Sequence, residues 1–129
     1  MGTATKYDVI NSKGNFIGGI IAPGIELSAM NLFKKAALLN KTTFKFPQKV
    51  IGRNTETNIQ SGIMYGAIDS INGMIQRILN EKKWTDSTII ITGGFSELIK
   101  EKLNENFIIN PNLTLQGLYY IQKNNNIII

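Results

Sequence analysis

At 129 residues, with 43% hydrophobic and 18% charged side chains, the chain suits one folded domain with its own core and is short for two lobes. It contains no cysteine and no histidine, which excludes disulfides, thiolate catalysis and cysteine-ligated zinc, and leaves acid–base chemistry to carboxylates, lysine or tyrosine. The 14 Lys and Arg outnumber the 9 Asp and Glu for a net charge of +5, but the lysines are single or paired (Lys34-Lys35, Lys82-Lys83), a solvated surface rather than a nucleic-acid stripe.

The run Gly2-Thr3-Ala4-Thr5-Lys6-Tyr7, followed by Asp8, reads as a phosphate-binding strand. Small and hydroxyl residues at a strand start leave backbone N–H groups and hydroxyls uncovered for a nucleotide phosphate. A strand is predicted over 3–11, a hairpin turn at Ser12-Lys13-Gly14-Asn15, and a second strand over 16–22. Within that second strand, Gly18-Gly19 permits a bulge or a close backbone approach. After Pro23-Gly24, the apolar positions Leu27, Met30, Leu32, Phe33, Ala36, Ala37 and Leu38 suit a helix, and 40–53 reads as irregular.

A long helix is predicted from Asn54-Thr55 to about Lys82, with an Asn or a Thr as its N-cap. It carries Ile59, Ile63, Tyr65, Gly66, Ile68, Ile71, Ile75, Ile78 and Leu79. Its interior glycines Gly62, Gly66 and Gly73 each cost roughly 1 kcal/mol relative to alanine. Close packing against another helix of the fold or a second protomer explains them better than a ligand contact. Residues 88–92 read as a buried strand, Gly93-Gly94 as a turn and 95–103 as helical, a strand–turn–helix junction of the kind that holds ligands in open α/β sheets. Asn110-Pro111-Asn112 breaks the chain before a final short helix over 113–122. Asn124-Asn125-Asn126 then precedes a tail or strand end. No apolar run approaches the roughly 20 residues that cross a bilayer and no signal-peptide pattern is present, so cytoplasmic residence is the default expectation.

In order along the chain, these segments resemble the C-terminal half of the type III pantothenate kinase (Bvg accessory factor) family. Gly2-Thr3-Ala4-Thr5 with Asp8 is similar to that family's second phosphate motif, and Gly18-Gly19 with Ile21-Ala22-Pro23-Gly24 to its Gly-Gly-x-Ile-x-Pro-Gly turn. Gly52-Arg53-Asn54-Thr55 with Gln60-Ser61-Gly62 resembles a further family segment, Thr92-Gly93-Gly94 the adenosine-side turn, and 111–118 the terminal Pro-x-Leu-x-Leu-x-Gly-Leu. The resemblance implies a single actin-like (ASKHA, ribonuclease H-like) α/β lobe over 1–129, with a mixed sheet flanked by helices. It also implies transfer of the ATP γ-phosphoryl group to the hydroxyl of pantothenate, the first step of coenzyme A synthesis, with Mg²⁺ and a monovalent cation (K⁺ or NH₄⁺). Such chemistry is positioning and charge neutralisation, so it needs neither histidine nor cysteine.

By the same resemblance, Thr3 with Gly2 contacts the ATP phosphates, Gly93 and Gly94 let backbone approach adenine and ribose, and Thr55 touches pantothenate across a dimer interface. On the residues alone, Thr3 also reads as a plain strand threonine and Thr55 as an N-cap competing with Asn54. Asp8 either meets Mg²⁺ through water or faces solvent. The sequence departs from the family in lacking the aspartate of Asp-x-Gly-Thr-Ala, the Asp-x-Gly-Asn-Thr loop, and the Gly-x-Asp-Arg segment that holds the general base. The expectation is therefore a chain inactive alone, a fragment or subunit whose N-terminal lobe is missing. Its partners are that lobe, a second copy meeting it at Gly62 and Gly66, or both, with neither nucleic acid nor membrane among them. A non-catalytic nucleotide-binding or regulatory module is the alternative.

Overall fold

The computed structural model describes residues 3–35, 42–104 and 106–125. The elements run β1 (Ala4–Ile10), β2 (Phe16–Pro23), α1 (Ile25–Lys35), α2 (Thr55–Lys82), β3 (Ile89–Ile91), α3 (Ser96–Ile99) with a following 3₁₀ turn (Lys100–Lys102), β4 (Phe107–Ile109) and α4 (Leu113–Asn125). The mixed α/β class holds. The single mixed sheet expected from the sequence does not: among the described residues β1 and β2 form one antiparallel pair and β3 and β4 a separate parallel pair.

The β1–β2 hairpin follows from its turn chemistry. Asn11 Oδ1 accepts the N–H groups of Lys13 and Asn15, each at 3.0 Å, and Gly14 takes φ +79°, a conformation that favours glycine. The register runs from Ala4 opposite Pro23 to Val9 opposite Gly18, then shifts so that Ile10 faces Phe16 and Ile17 is the extra residue. Both uses foreseen for the glycine pair occur together. Gly18 adopts φ +137° at the bulge, and a Cβ on Gly19 would lie 2.5 Å from the Tyr7 carbonyl oxygen.

Helix α2 starts where a capping box puts it. Asn54 is extended (φ −148°, ψ 169°), its side chain accepts the Thr57 N–H at 2.9 Å, and Thr57 Oγ1 accepts the Asn54 N–H at 3.2 Å. It ends on Lys83 in the left-handed conformation, with Lys83 N–H donating to the Asn80 carbonyl and Trp84 N–H to that of Leu79. Between these ends Met64, Ile68, Ile71 and Ile75 fall at helical spacing on one stripe, which packs with Ile25 of α1 and Ile99 of α3 to form the core. Met64 is fully buried although the sequence reading left it out of the apolar set. Each such side chain contributes about 1.5–3 kcal/mol on burial, so the stripe outweighs the roughly 3 kcal/mol that three interior glycines cost the helix.

Other expectations shift in detail. Helix α1 buries Ile25 and Ala29, one turn apart, while Leu27, Met30 and Leu32 stay exposed because a single edge of this short helix meets the core, Leu32 lining an open cavity beside α2. Ala36, Ala37 and Leu38 lie outside the described residues. The strand expected over 88–92 is three residues long and only half buried: Ile89 and Ile91 face the core and Ile90 faces outward, 48% exposed. Strand β4 was not foreseen, because three apolar residues are too short for a period to register. Helix α4 continues past Gln122 to Asn125, whose side-chain nitrogen donates to the Ile121 carbonyl, and buries none of its residues.

The interior glycines of α2 also read differently in three dimensions. A Cβ at Gly62, Gly66 or Gly73 would meet no atom within 4 Å, so no helix of the same fold packs against them among the described residues. Gly66→Ala is therefore expected to raise the stability of the isolated chain by about 1 kcal/mol, the helix-propensity difference. Urea unfolding of the two proteins measures it, and a destabilised variant would show that internal packing does occupy that face.

Candidate functional site

Two places carry the residues singled out in the sequence. The first is an open cavity of about 760 Å³ between the β1–β2 hairpin, α1 and α2. Its polar lining is Thr5 and Tyr7 from β1, Ser28 from α1, and Thr55, Asn58 and Ser70 from α2, with the bare backbone of Gly62 and Gly66 beside them. Among the described residues no Asp, Glu, Lys or Arg side chain lines it, which leaves recognition there to hydroxyls, one carboxamide and exposed peptide groups.

The secondary structure explains this convergence. Alternation along β1 sends Thr5 and Tyr7 to the same face, and Asp8 to the opposite one, where it is exposed. On α2 the four-residue spacing of Asn58, Gly62, Gly66 and Ser70 lines one face. Asn54 takes the N-cap, so Thr55 is the first helical residue and its hydroxyl is not spent on capping. The turn before it is tight: a side chain at Gly52 would collide with Asn58, and Arg53 N–H donates to Thr57 Oγ1 at 3.1 Å. Tyr7 is half-buried, and burial pushes its phenol above the ordinary tyrosine range.

The second place is the junction between β3 and α3. Gly93 adopts φ +102°, a conformation that L side chains rarely take. Its carbonyl accepts both the N–H of Ser96 at 3.1 Å and the Ser96 hydroxyl at 2.7 Å, and Ser96 is buried. Gly94 is exposed and a Cβ there would meet nothing within 4 Å. The two glycines thus differ in kind: Gly93 makes the turn, and Gly94 leaves backbone bare in front of it.

The structure therefore brings Thr55 together with Thr5 and Tyr7, while Thr3, Gly93 and Gly94 lie outside that cavity. Thr3 is exposed, and its carbonyl accepts the Gly24 N–H at 3.0 Å, which ties the start of β1 to the end of β2. Gly2 lies outside the described residues. Sequence reasoning missed Tyr7, Ser28, Asn58 and Ser70 as lining residues. The strand alternation from Thr5 to Tyr7 and the four-residue repeat from Asn58 to Ser70 were the available signals. Among the described residues no three acidic side chains converge on a possible metal position, and no helix is long and apolar enough to cross a membrane.

Residues 1–77 match the family model described as type III pantothenate kinase. A curated type III pantothenate kinase from Bacillus cytotoxicus is 40% identical over 127 residues, which span 98% of this chain and 48% of that protein. The chain thus spans about half the length of that relative. Among solved structures, one from Campylobacter jejuni, described as a Baf family transcriptional activator, aligns with a TM-score of 0.60 at 20% identity. The alignment covers 95% of this chain and 54% of that one, and at this identity it speaks for the fold alone.

Two outcomes follow from the geometry. Gly93→Ala is expected to lower stability by about 1–2 kcal/mol because of its backbone conformation, while Gly94→Ala stays within about 0.5 kcal/mol of the parent; equal effects in urea unfolding would contradict the division. Because the folded pKa of Tyr7 lies above its unfolded value, its contribution is fully present below about pH 10 and is lost as pH rises through the folded value. Tyr7→Phe should lose less stability than the parent between neutral and strongly alkaline pH, and parallel pH profiles would refute this.

Proposed function

The chain belongs to the type III pantothenate kinase family, and we propose that it supplies the C-terminal, actin-like lobe of an ATP-dependent pantothenate kinase. In this reading the oxygen of a pantothenate hydroxyl attacks the γ-phosphorus of ATP, its proton passing to the aspartate of Gly-x-Asp-Arg that the remaining half would supply, the bond to the bridging oxygen breaks, and ADP leaves. The β3–α3 junction is the observation that carries the nucleotide half of the reading. Gly94 presents uncovered backbone at the carboxyl end of a strand, held there by the conformation of Gly93, where ligands sit in open α/β sheets.

Each residue then has a defined task. The backbone at Gly93 and Gly94 faces adenine and ribose, the hydroxyl and backbone of Thr3 (with Gly2) face the phosphates, and the Thr55 hydroxyl, free of capping, faces pantothenate. The neutral, partly apolar cavity around Thr55 suits the branched, hydroxylated amide part of pantothenate, with its single carboxylate left at the open mouth, better than a polyphosphate, which supports putting the two substrates in different places. Mg²⁺ and K⁺ or NH₄⁺ belong to the reaction, but the described residues offer no converging carboxylates for either ion, so no step is assigned to them.

Association completes the reading. Leu115, Leu118, Tyr119, Tyr120 and Ile121 of α4 are each more than half exposed, an apolar surface for the remaining half of a family protein about twice this length to cover. In the same reading a second copy packs over the open side of that cavity at Gly62 and Gly66, making a homodimer whose interface borders the pantothenate site. Cytoplasmic residence belongs to the same reading.

The test is phosphorylation of pantothenate by ATP, with Mg²⁺ and K⁺, by this chain alone and mixed with the remaining half of the Bacillus cytotoxicus relative. Activity is expected only in the mixture, because the aspartate of Gly-x-Asp-Arg is not among these 129 residues, and Thr55→Ala should raise the KM for pantothenate more than that for ATP. Turnover by the chain alone contradicts the expected dependence. A formed complex without turnover overturns the kinase reading.

A further inference from the structure

The segment 42–53 has no regular secondary structure, yet α2 holds it at several points. Ser61 Oγ donates to the Val50 carbonyl, and Tyr65 OH donates to that of Pro47 at 3.2 Å. Tyr65 also meets Phe46 edge-on, with ring centroids 5.2 Å apart. Its first residues are gripped differently, by a single buried side chain. Gln60 is 2% exposed, and its Nε2 lies 3.0 Å from Thr42 Oγ1, 3.3 Å from both Thr43 O and Thr43 Oγ1, and 3.3 Å from Glu56 Oε1. Two N–H bonds are thus shared among four acceptors. Thr42 Oγ1 in turn donates to the same Glu56 oxygen at 3.2 Å, closing a ring between the segment and the first turns of α2.

What this ring holds points toward the other site. Phe44, two residues beyond Thr42, packs edge-on against Phe95, with centroids 5.6 Å apart and planes at 83°. Phe95 directly follows Gly93-Gly94 and precedes the Ser96 that bonds the Gly93 carbonyl twice. Glu56, at the other end of the ring, directly follows Thr55. One carboxamide therefore stands between the glycine turn and the start of α2, linked to the turn by one aromatic contact and to the helix by its own backbone.

We propose that Gln60 is a positioning residue that sets the Gly93–Gly94 turn relative to Thr55, acting through Thr42, Thr43 and the Phe44–Phe95 contact. The assignment of nucleotide to that turn rests on the function proposed above; the mechanical link does not. Gln60 touches neither substrate in this account. Removing its amide leaves Tyr65, Ser61 and the core stripe in place, and Phe44 and Phe95 keep their own packing on that core, so the effect is local: the 42–44 segment loosens, the Phe44–Phe95 contact weakens, and the turn loses part of its support.

The test compares amide hydrogen exchange in the parent, Gln60→Leu and Ser61→Ala, the last breaking only the tie to Val50. In Gln60→Leu the hydrogen-bonded amides of Ser96 and Ile99 are expected to exchange about tenfold faster, with β1–β2 amides within about twofold of the parent. Ser61→Ala should leave Ser96 and Ile99 unchanged. An even rise across the chain, or none at Ser96 and Ile99, overturns the proposal. If Gln60→Leu does not fold, Thr42→Val with Thr43→Val removes the two hydroxyl acceptors instead, leaving the Thr43 carbonyl and Glu56, and the same comparison decides. A fluorescent ATP analogue adds the second arm, with about tenfold weaker binding expected for Gln60→Leu. A parent complex with the relative's remaining half that binds no analogue overturns the nucleotide reading, while the exchange pattern still decides the positioning role.

Discussion

The packing of Met64, Ile68, Ile71 and Ile75 on one stripe of α2 is the contact that the other elements depend on. Two-stranded sheets are marginal in water unless a helix covers them, and this chain has two of them, with no pairing between them among the described residues. Helix α1 reaches the core through Ile25, α3 through Ile99, β1 through Tyr7 and β3 through Ile89, each meeting the stripe or its rim. The N-cap box at Asn54 is worth about 1 kcal/mol and sets the point at which the helix begins. The stripe is worth several times more and sets where the neighbours go.

That arrangement gives α2 two further surfaces with different duties. Toward the hairpin and α1 it shows Thr55, Asn58, Gly62, Gly66 and Ser70, a face of small neutral groups that leaves a cavity open. Toward the irregular segment it shows Gln60, Ser61 and Tyr65, which bind backbone and side chains of 42–50. The segment then reaches the β3–α3 junction through Phe44. A single helix thus organises both the neutral cavity and, at one remove, the glycine turn, which is how residues far apart in sequence come under common control.

Local signals in the sequence were the most dependable. Asn54 as one of two N-cap candidates, the turn at 12–15 and the Gly18-Gly19 pair each work through neighbours a few residues away, and the structure has a cap, a turn and a bulge there, with Thr57 and Asn11 as the partners the sequence reading did not name. The family was legible for a related reason, since its motifs are short runs whose order along the chain is preserved. Sheet pairing was not legible, because β3 and β4 are three residues each and their partnership depends on tertiary contact. Leu27 and Met30 show the same limit from the other side: their spacing suits a helix, but which face meets the core is decided by α2. The cavity was half legible. Thr55 came from the resemblance, while Tyr7, Asn58 and Ser70 required knowing that β1 and α2 face one another.

An amide-resolved NMR titration with each ligand decides whether nucleotide and pantothenate meet different parts of this chain, as proposed above. At millimolar concentration, ATP with Mg²⁺ should perturb the amides of Thr3, Gly93, Gly94 and Ser96, and pantothenate those of Thr55 and Asn58. Perturbation of the cavity by ATP with the glycine turn unmoved would contradict the account.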